Sequence, residues 1–249
     1  MKNNLRKFLR IAVLFILIGC DDGEDFYLGP GDGYSAASGS NTGFTIIGDH
    51  LYALSFEGLT IFNVADRQMT LQNIIPIPTD AETIFGYQHY LLFGRQNGVS
   101  IYDVEENPID PVYVSEYSHQ TACDPVIARD GVAYFTIRSG RGCGENRSNQ
   151  LVTLDISDPT NPILSTAQNM VSPYGLALHQ NSLLVSEGDL GIKQFDITDK
   201  LNPRLRRTVY NINSQDLIAL DTILISVGTQ GVDQFRITED GLSLLSTLE

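Results

Sequence analysis

Apolar residues along most of this chain fall in short runs rich in Val, Ile, Leu, Tyr and Phe, separated by Gly, Asp, Asn, Ser and Pro. Runs of this length bounded by turn formers predict β-strands. The stretch 83–114 shows the unit: Thr83–Tyr87, Tyr90–Phe93, Val99–Val104 and Val112–Val114 are four such runs in succession. Beyond the first 20 residues, no window sustains a 3.6-residue apolar period over helical length. The pattern predicts an all-β protein.

The unit recurs. Gly58–Asn63, Gly98–Asp103, Gln150–Asp155, Gly191–Asp196 and Gly231–Arg236 align, with their last positions 40, 52, 41 and 40 residues apart. The long interval reflects an insertion around Ser139–Asn149. A marked turn follows the third run in three units: 103–108, 155–162 and 196–203 combine Asp or Asn with Pro. Asx side chains bond nearby backbone N–H groups, and Pro cannot continue a ladder. Four strands per roughly 40 residues is the spacing of a propeller blade. Five units predict a five-bladed β-propeller of four-stranded antiparallel sheets over 44–249. An open β-solenoid is the alternative, but it would leave end strands unpaired. Asn63 and Arg236 stand where the middle units have Asp, so the way the ring closes is left open.

The chain begins differently. Lys2, Arg6, Lys7 and Arg10 precede an apolar stretch, Ile11–Ile18, which ends at Gly19-Cys20. A basic start, a short apolar core and small residues form a secretory signal over 1–19. Eight apolar residues fall well short of the about 20 that a spanning helix needs. Leu17-Ile18-Gly19-Cys20 resembles the bacterial lipobox, which implies lipidation of Cys20 and attachment to a membrane through that lipid. Residues 20–43 are acidic and rich in Gly and Ser, and are expected to form a flexible tether.

Charge narrows the partners. The chain carries 16 Lys+Arg against 30 Asp+Glu, and four of the basic residues lie in the leader. Such acidity excludes nucleic acid as a partner, which needs clustered Lys and Arg. With Cys20 taken by lipid, Cys123 and Cys143 remain as a disulfide pair in an exported chain. Two free thiols are the alternative.

Val99–Val104 and Leu151–Pro159 resemble the LVIVD repeat, and the resemblance covers roughly 44–249. The segment Ala122–Val126 followed by Cys143 is similar to surface lipoproteins of that family in some Gram-negative bacteria. The resemblance implies a propeller at the outer membrane or cell surface. In those bacteria an acidic run after the lipidated Cys resembles a surface-export signal, and Asp21, Asp22, Glu24 and Asp25 fit it.

Propeller topology puts blade-to-blade connections on the same face as the hairpins between second and third strands. That face is expected to carry Glu82, Asp124, Tyr174 and Asp216 near the pore, with Arg95, Glu187 and Asp189 on the hairpins. It also brings Cys123 toward Cys143, beside an insertion bearing Arg138, Arg141 and Arg147. Carboxylates beside Arg and Tyr suit a protein or glycan ligand. A glycosidase-like acid–base pair would need carboxyls about 5–9.5 Å apart. His50, His89 and His179 fall near first hairpin turns of separate blades, and are expected to be exposed turn residues. No linear nucleophile, zinc or phosphate-loop motif is present, so no cofactor, no metal and no enzyme activity are expected. The sequence reading is a membrane-anchored, non-catalytic binding or scaffolding propeller; the alternative is a carbohydrate-active enzyme using pore-mouth carboxylates.

Overall fold

The computed structural model describes residues 42–78, 80–119, 125–139, 148–238 and 241–248. They form twenty strands in five sheets. Blade 1 holds β1 Phe44–Ile47, β2 His50–Ser55, β3 Gly58–Asn63 and β4 Thr70–Ile75. Blade 2 holds β5 Ala81–Tyr87, β6 Tyr90–Arg95, β7 Gly98–Asp103 and β8 Val112–Ser118. Blade 3 holds β9 Val126–Arg129, β10 Val132–Ile137, β11 Gln150–Asp155 and β12 Ile163–Asn169. Blade 4 holds β13 Leu176–His179, β14 Ser182–Ser186, β15 Ile192–Asp196 and β16 Arg204–Val209. Blade 5 holds β17 Asp216–Leu220, β18 Ile223–Gly228, β19 Gly231–Thr238 and β20 Gly241–Leu248. Every sheet is antiparallel with strands in chain order. The fold is a five-bladed β-propeller.

The repeated glycine that opens the third strand has a steric cause. Gly58, Gly98 and Gly191 lie at positive φ, and a Cβ there would sit 2.1, 2.1 and 1.9 Å from the carbonyl oxygens of Ile75, Tyr117 and Val209. The outer strand thus ends against bare backbone, which only glycine permits. The third and fourth strands also share a bulge, at the residue two before the end of the aligned motif, in every blade. It bends and twists the outer strand, a feature the sequence pattern does not show. The Asp turns behave as read. Oδ1 of Asp103, Asp155 and Asp196 accepts the N–H two residues on, and Asn63 does the same in blade 1.

Inner strands are apolar on both faces because each interior sheet is covered twice. β10 is buried at all six positions, whereas β12 at the rim is largely exposed. Four apolar clusters fill the contacts between successive blades. Hydroxyls tie the blades as well. Tyr52 donates to the Pro108 carbonyl of the next blade at 3.0 Å, and Tyr134 to that of Lys200 at 2.8 Å. Burial pushes the Tyr134 hydroxyl up to about 12, so it stays a donor. Among the described residues no such cluster joins blade 5 to blade 1. Phe44 is 52% exposed, while Ile84, its counterpart in blade 2, is 0% exposed. The terminal repeats therefore keep the apolar faces of the interior ones without the same cover.

Phe93 is fully buried between blades 1 and 2 and packs edge-on to Tyr102. Phe93→Ala is expected to cost about 3–5 kcal/mol in urea unfolding. Phe56→Ala, at a site 97% exposed, should stay within about 0.5 kcal/mol.

Candidate functional site

On the face bearing blade-to-blade connections, the passage from blade 3 into blade 4 is pinned by main-chain hydrogen bonds. There the connection 170–175 is held from both ends. Met170 N–H donates to the Asn149 carbonyl, Tyr174 N–H to that of Ser186, and Gly175 N–H to that of Gln215. Glu187, on the β14–β15 hairpin, reaches under it. Its side chain is 2% exposed and pairs with Lys193 at 2.8 Å, while its Oε1 accepts the Val171 N–H at 2.8 Å. A buried carboxylate is tolerated only when paired and bonded in this way.

Tyr174 stands on that connection, half-buried. The Arg138 guanidinium, from the end of β10, lies over its ring at 4.2 Å. Thr136, also on β10, donates to the Tyr174 carbonyl at 2.6 Å. Tyrosine and arginine thus meet across 36 positions because two consecutive blades bring their facing edges together. A guanidinium stacked on an aromatic face keeps its N–H edge available for a carboxylate or phosphate in its plane. No carboxylate among the described residues is in ion-pair range of Arg138.

The remaining candidates are spent on local structure. Arg95 bonds Asp80 at 3.0 Å, Glu116 at 2.8 Å and Ser100 at 2.8 Å. Burial works against its charge, but Asp80 and Glu116 outweigh that and hold the guanidinium above its ordinary value. Glu82 accepts from the Gln96 amide at 3.0 Å. Asp189 accepts from the Asn213 amide. Asp216 is half-buried against Gly175, where a Cβ would come within 2.1 Å of its Oδ1. Cys20, Cys123, Asp124, Arg141 and Cys143 lie outside the described residues, and the disulfide with them. Sequence reasoning missed a buried hydroxyl chain, Ser186 to Ser214 at 2.6 Å and Ser226 to Ser214 at 2.9 Å, that joins blades 4 and 5 on this face. It also missed Lys193, whose role appears only once its hairpin partner is known to be buried.

On the opposite face His89 differs from its reading as an exposed turn residue. Its side chain is 26% exposed and packs at a tilt against Tyr90, with ring centroids 4.1 Å apart. The carboxylates of Asp103 and Glu105 are close by.

No protein-family model matches the chain, and no curated protein matches it. Solved structures do. The periplasmic gluconolactonase of Pseudomonas aeruginosa superposes with a TM-score of 0.60 at 14% identity, over 81% of this chain and 67% of that one. A Bacteroides fragilis protein provisionally named as a 6-phosphogluconolactonase gives 0.61 at 10%, over 83% and 68%. BamB from Moraxella catarrhalis gives 0.52 at 13%, over 83% and 62%. The chain spans 62–68% of the length of these three, and at such identities the likeness is one of fold. It corrects one expectation. The sequence reading held that the propeller is not an enzyme, yet two of these neighbours carry enzyme names. The fold therefore does not exclude catalysis here.

Glu187→Ala would strand Lys193, 17% exposed, and orphan the Val171 N–H. The expected cost is about 3 kcal/mol in urea unfolding. Glu187→Gln keeps an acceptor for Val171 and should cost less. Equal stability of all three proteins would show that the pair does not order the connection.

Proposed function

We propose that this chain is a lipid-anchored surface propeller that captures a ligand bearing a carboxylate or phosphate group, such as a sugar acid, at the junction of blades 3 and 4. The observation that carries this reading is Arg138 stacked on Tyr174, over a connection braced by the buried Glu187–Lys193 pair. Bracing matters because a pre-ordered site spends less binding energy on immobilising its own loops. The stack supplies an aromatic edge for a sugar-sized body and N–H donors for the acidic group. The protein as a whole is acidic, with a net charge of −14, which disfavours polymeric anions.

Attachment is the other half of the proposal. The LVIVD-like repeats and the lipobox-like Leu17–Cys20 support an exported lipoprotein, and the acidic run from Asp21 supports display at the outer surface of a Gram-negative cell. A lipidated Cys20 would then hold the propeller at the membrane. Cys20→Ser is expected to shift the protein from the membrane fraction to the soluble one. Retention of that variant on membranes after a high-salt wash would refute the anchor.

The ligand test uses gluconate and 6-phosphogluconate in calorimetric titration. Arg138→Ala is expected to weaken binding at least tenfold, about 1.4 kcal/mol. Arg138→Lys should fall between, since it keeps charge and loses the stack. Affinity unchanged by Arg138→Ala, or no uptake of either sugar acid, would overturn the reading. Glucono-δ-lactone in the same series, followed by acid release, extends the test to turnover. Its consumption in an Arg138-dependent manner would make the capture site an active site.

A further inference from the structure

We propose that His89, Asp103 and Glu105 form a site for a divalent transition-metal ion of the zinc class, on the face opposite the Arg138–Tyr174 stack. His89 Nε2 lies 3.9 Å from Asp103 Oδ2 and 3.6 Å from Glu105 Oε2, and all three ligand atoms fall within 4.8 Å of one another. Tetrahedral ligands at about 2.0–2.1 Å from zinc are about 3.3–3.4 Å apart. His89 Nε2 is within about 0.3–0.6 Å of that spacing from each carboxylate, and the two carboxylate oxygens, within 4.8 Å of each other, complete it by side-chain rotation. One imidazole and two carboxylates suit zinc or its neighbours better than calcium, which takes six to eight oxygens.

The fold explains how these three meet. His89 occupies the β5–β6 hairpin turn, and Asp103 and Glu105 flank the end of β7, which pairs with β6. Asp103 Oδ1 is engaged by the Glu105 N–H at 2.7 Å, which leaves Oδ2 for His89. The His89 ring packs at a tilt against Tyr90, with centroids 4.1 Å apart. The other blades act as internal controls. At the same three repeat positions blade 3 has Gly131, Asp155 and Ser157, and blade 4 has Asn181, Asp196 and Thr198. There the third residue closes the Asp turn, with its N–H in both blades and also its hydroxyl in blade 3, and no imidazole is present. Blade 2 keeps the backbone bond of that turn and adds to it an imidazole and a second carboxylate.

A second feature lies alongside. Gln88 and Tyr90 line a cavity of about 380 Å³ between blades 2 and 3, together with Tyr87, Asp130 and Ser157. An ion held by three protein groups keeps at least one coordination position open. Glu105 is exposed, so that position opens to water or to a small oxygen-bearing ligand.

The test titrates the purified, chelator-treated chain with Co²⁺, read by visible d–d absorption, and with Zn²⁺ by calorimetry. Saturable uptake at one ion per chain is expected. His89→Ala and His89→Gln should each weaken it at least tenfold. Asp103→Asn, which keeps the turn, and Glu105→Gln should each weaken it as well. His179→Ala, a hairpin histidine without the carboxylates, should change nothing. Circular dichroism confirms that each variant folds. No saturable uptake would overturn the site, as would uptake indifferent to both His89 variants. Thiolate charge-transfer bands in place of d–d absorption alone would place the ion on cysteine and overturn it too.

Discussion

Blade-on-blade packing is the constraint on which the rest of this molecule depends. Each four-stranded sheet is apolar on both faces, and a sheet of that kind has no stable existence in water by itself. The third strands show the consequence: Leu59, Val99, Leu151 and Ile192 are all nearly inaccessible, though each belongs to a different sheet. Burying two faces forces the polar chemistry to the two rims, where turns and connections emerge. Both candidate sites lie there for that reason, one at each rim, and both use side chains from strand ends that the packing holds rigid.

The parts of this architecture that repeat are legible in the sequence, because a recurring local requirement leaves a recurring residue. Glycine opens the third strand where the neighbouring carbonyl leaves no room for a Cβ. Aspartate closes the following turn by bonding an N–H two residues on. Both signals are local in the chain, and both give the blade number and the strand order. The bulge in every outer strand pair is equally regular, yet it has no residue of its own: Ile61, Ile101, Thr153, Gln194 and Gln234 all stand there. It stays invisible until the register is seen.

Site geometry was less legible, and the reason is physical. Topology tells which loops share a rim, and Arg138 and Tyr174 meet there at 4.2 Å. It could not tell which charged groups spend themselves on each other. Arg95 looked available beside Glu82, but Asp80 and Glu116 take it. Glu187 looked like a ligand-binding carboxylate on a hairpin, but it is buried beneath a connection and serves Val171 and Lys193. Such pairings depend on side-chain reach across a sheet, and loop membership alone carries no record of it.

His89 exposes the opposite failure. Read one blade at a time, it is a hairpin residue like His50 and His179, and averaging over the repeats makes it ordinary. The repeat relation becomes informative only when the three positions are compared jointly across blades. Asp103 then stands out because its neighbours in that small constellation differ from those of Asp155 and Asp196, though the aspartates themselves make the same backbone bond. In a repeat protein the scaffold is fixed by what every unit shares. Chemistry enters where one unit departs at several spatially adjacent positions together, at little cost to packing, because the rim is already outside the core. Blade 2 departs in that way at its hairpin turn, and blades 3 and 4 do so where Arg138 meets Tyr174. At both places the departing groups sit at strand ends, in tight hairpins or on a hydrogen-bonded connection, so the blade supplies the rigidity that a binding group on a free loop would lack.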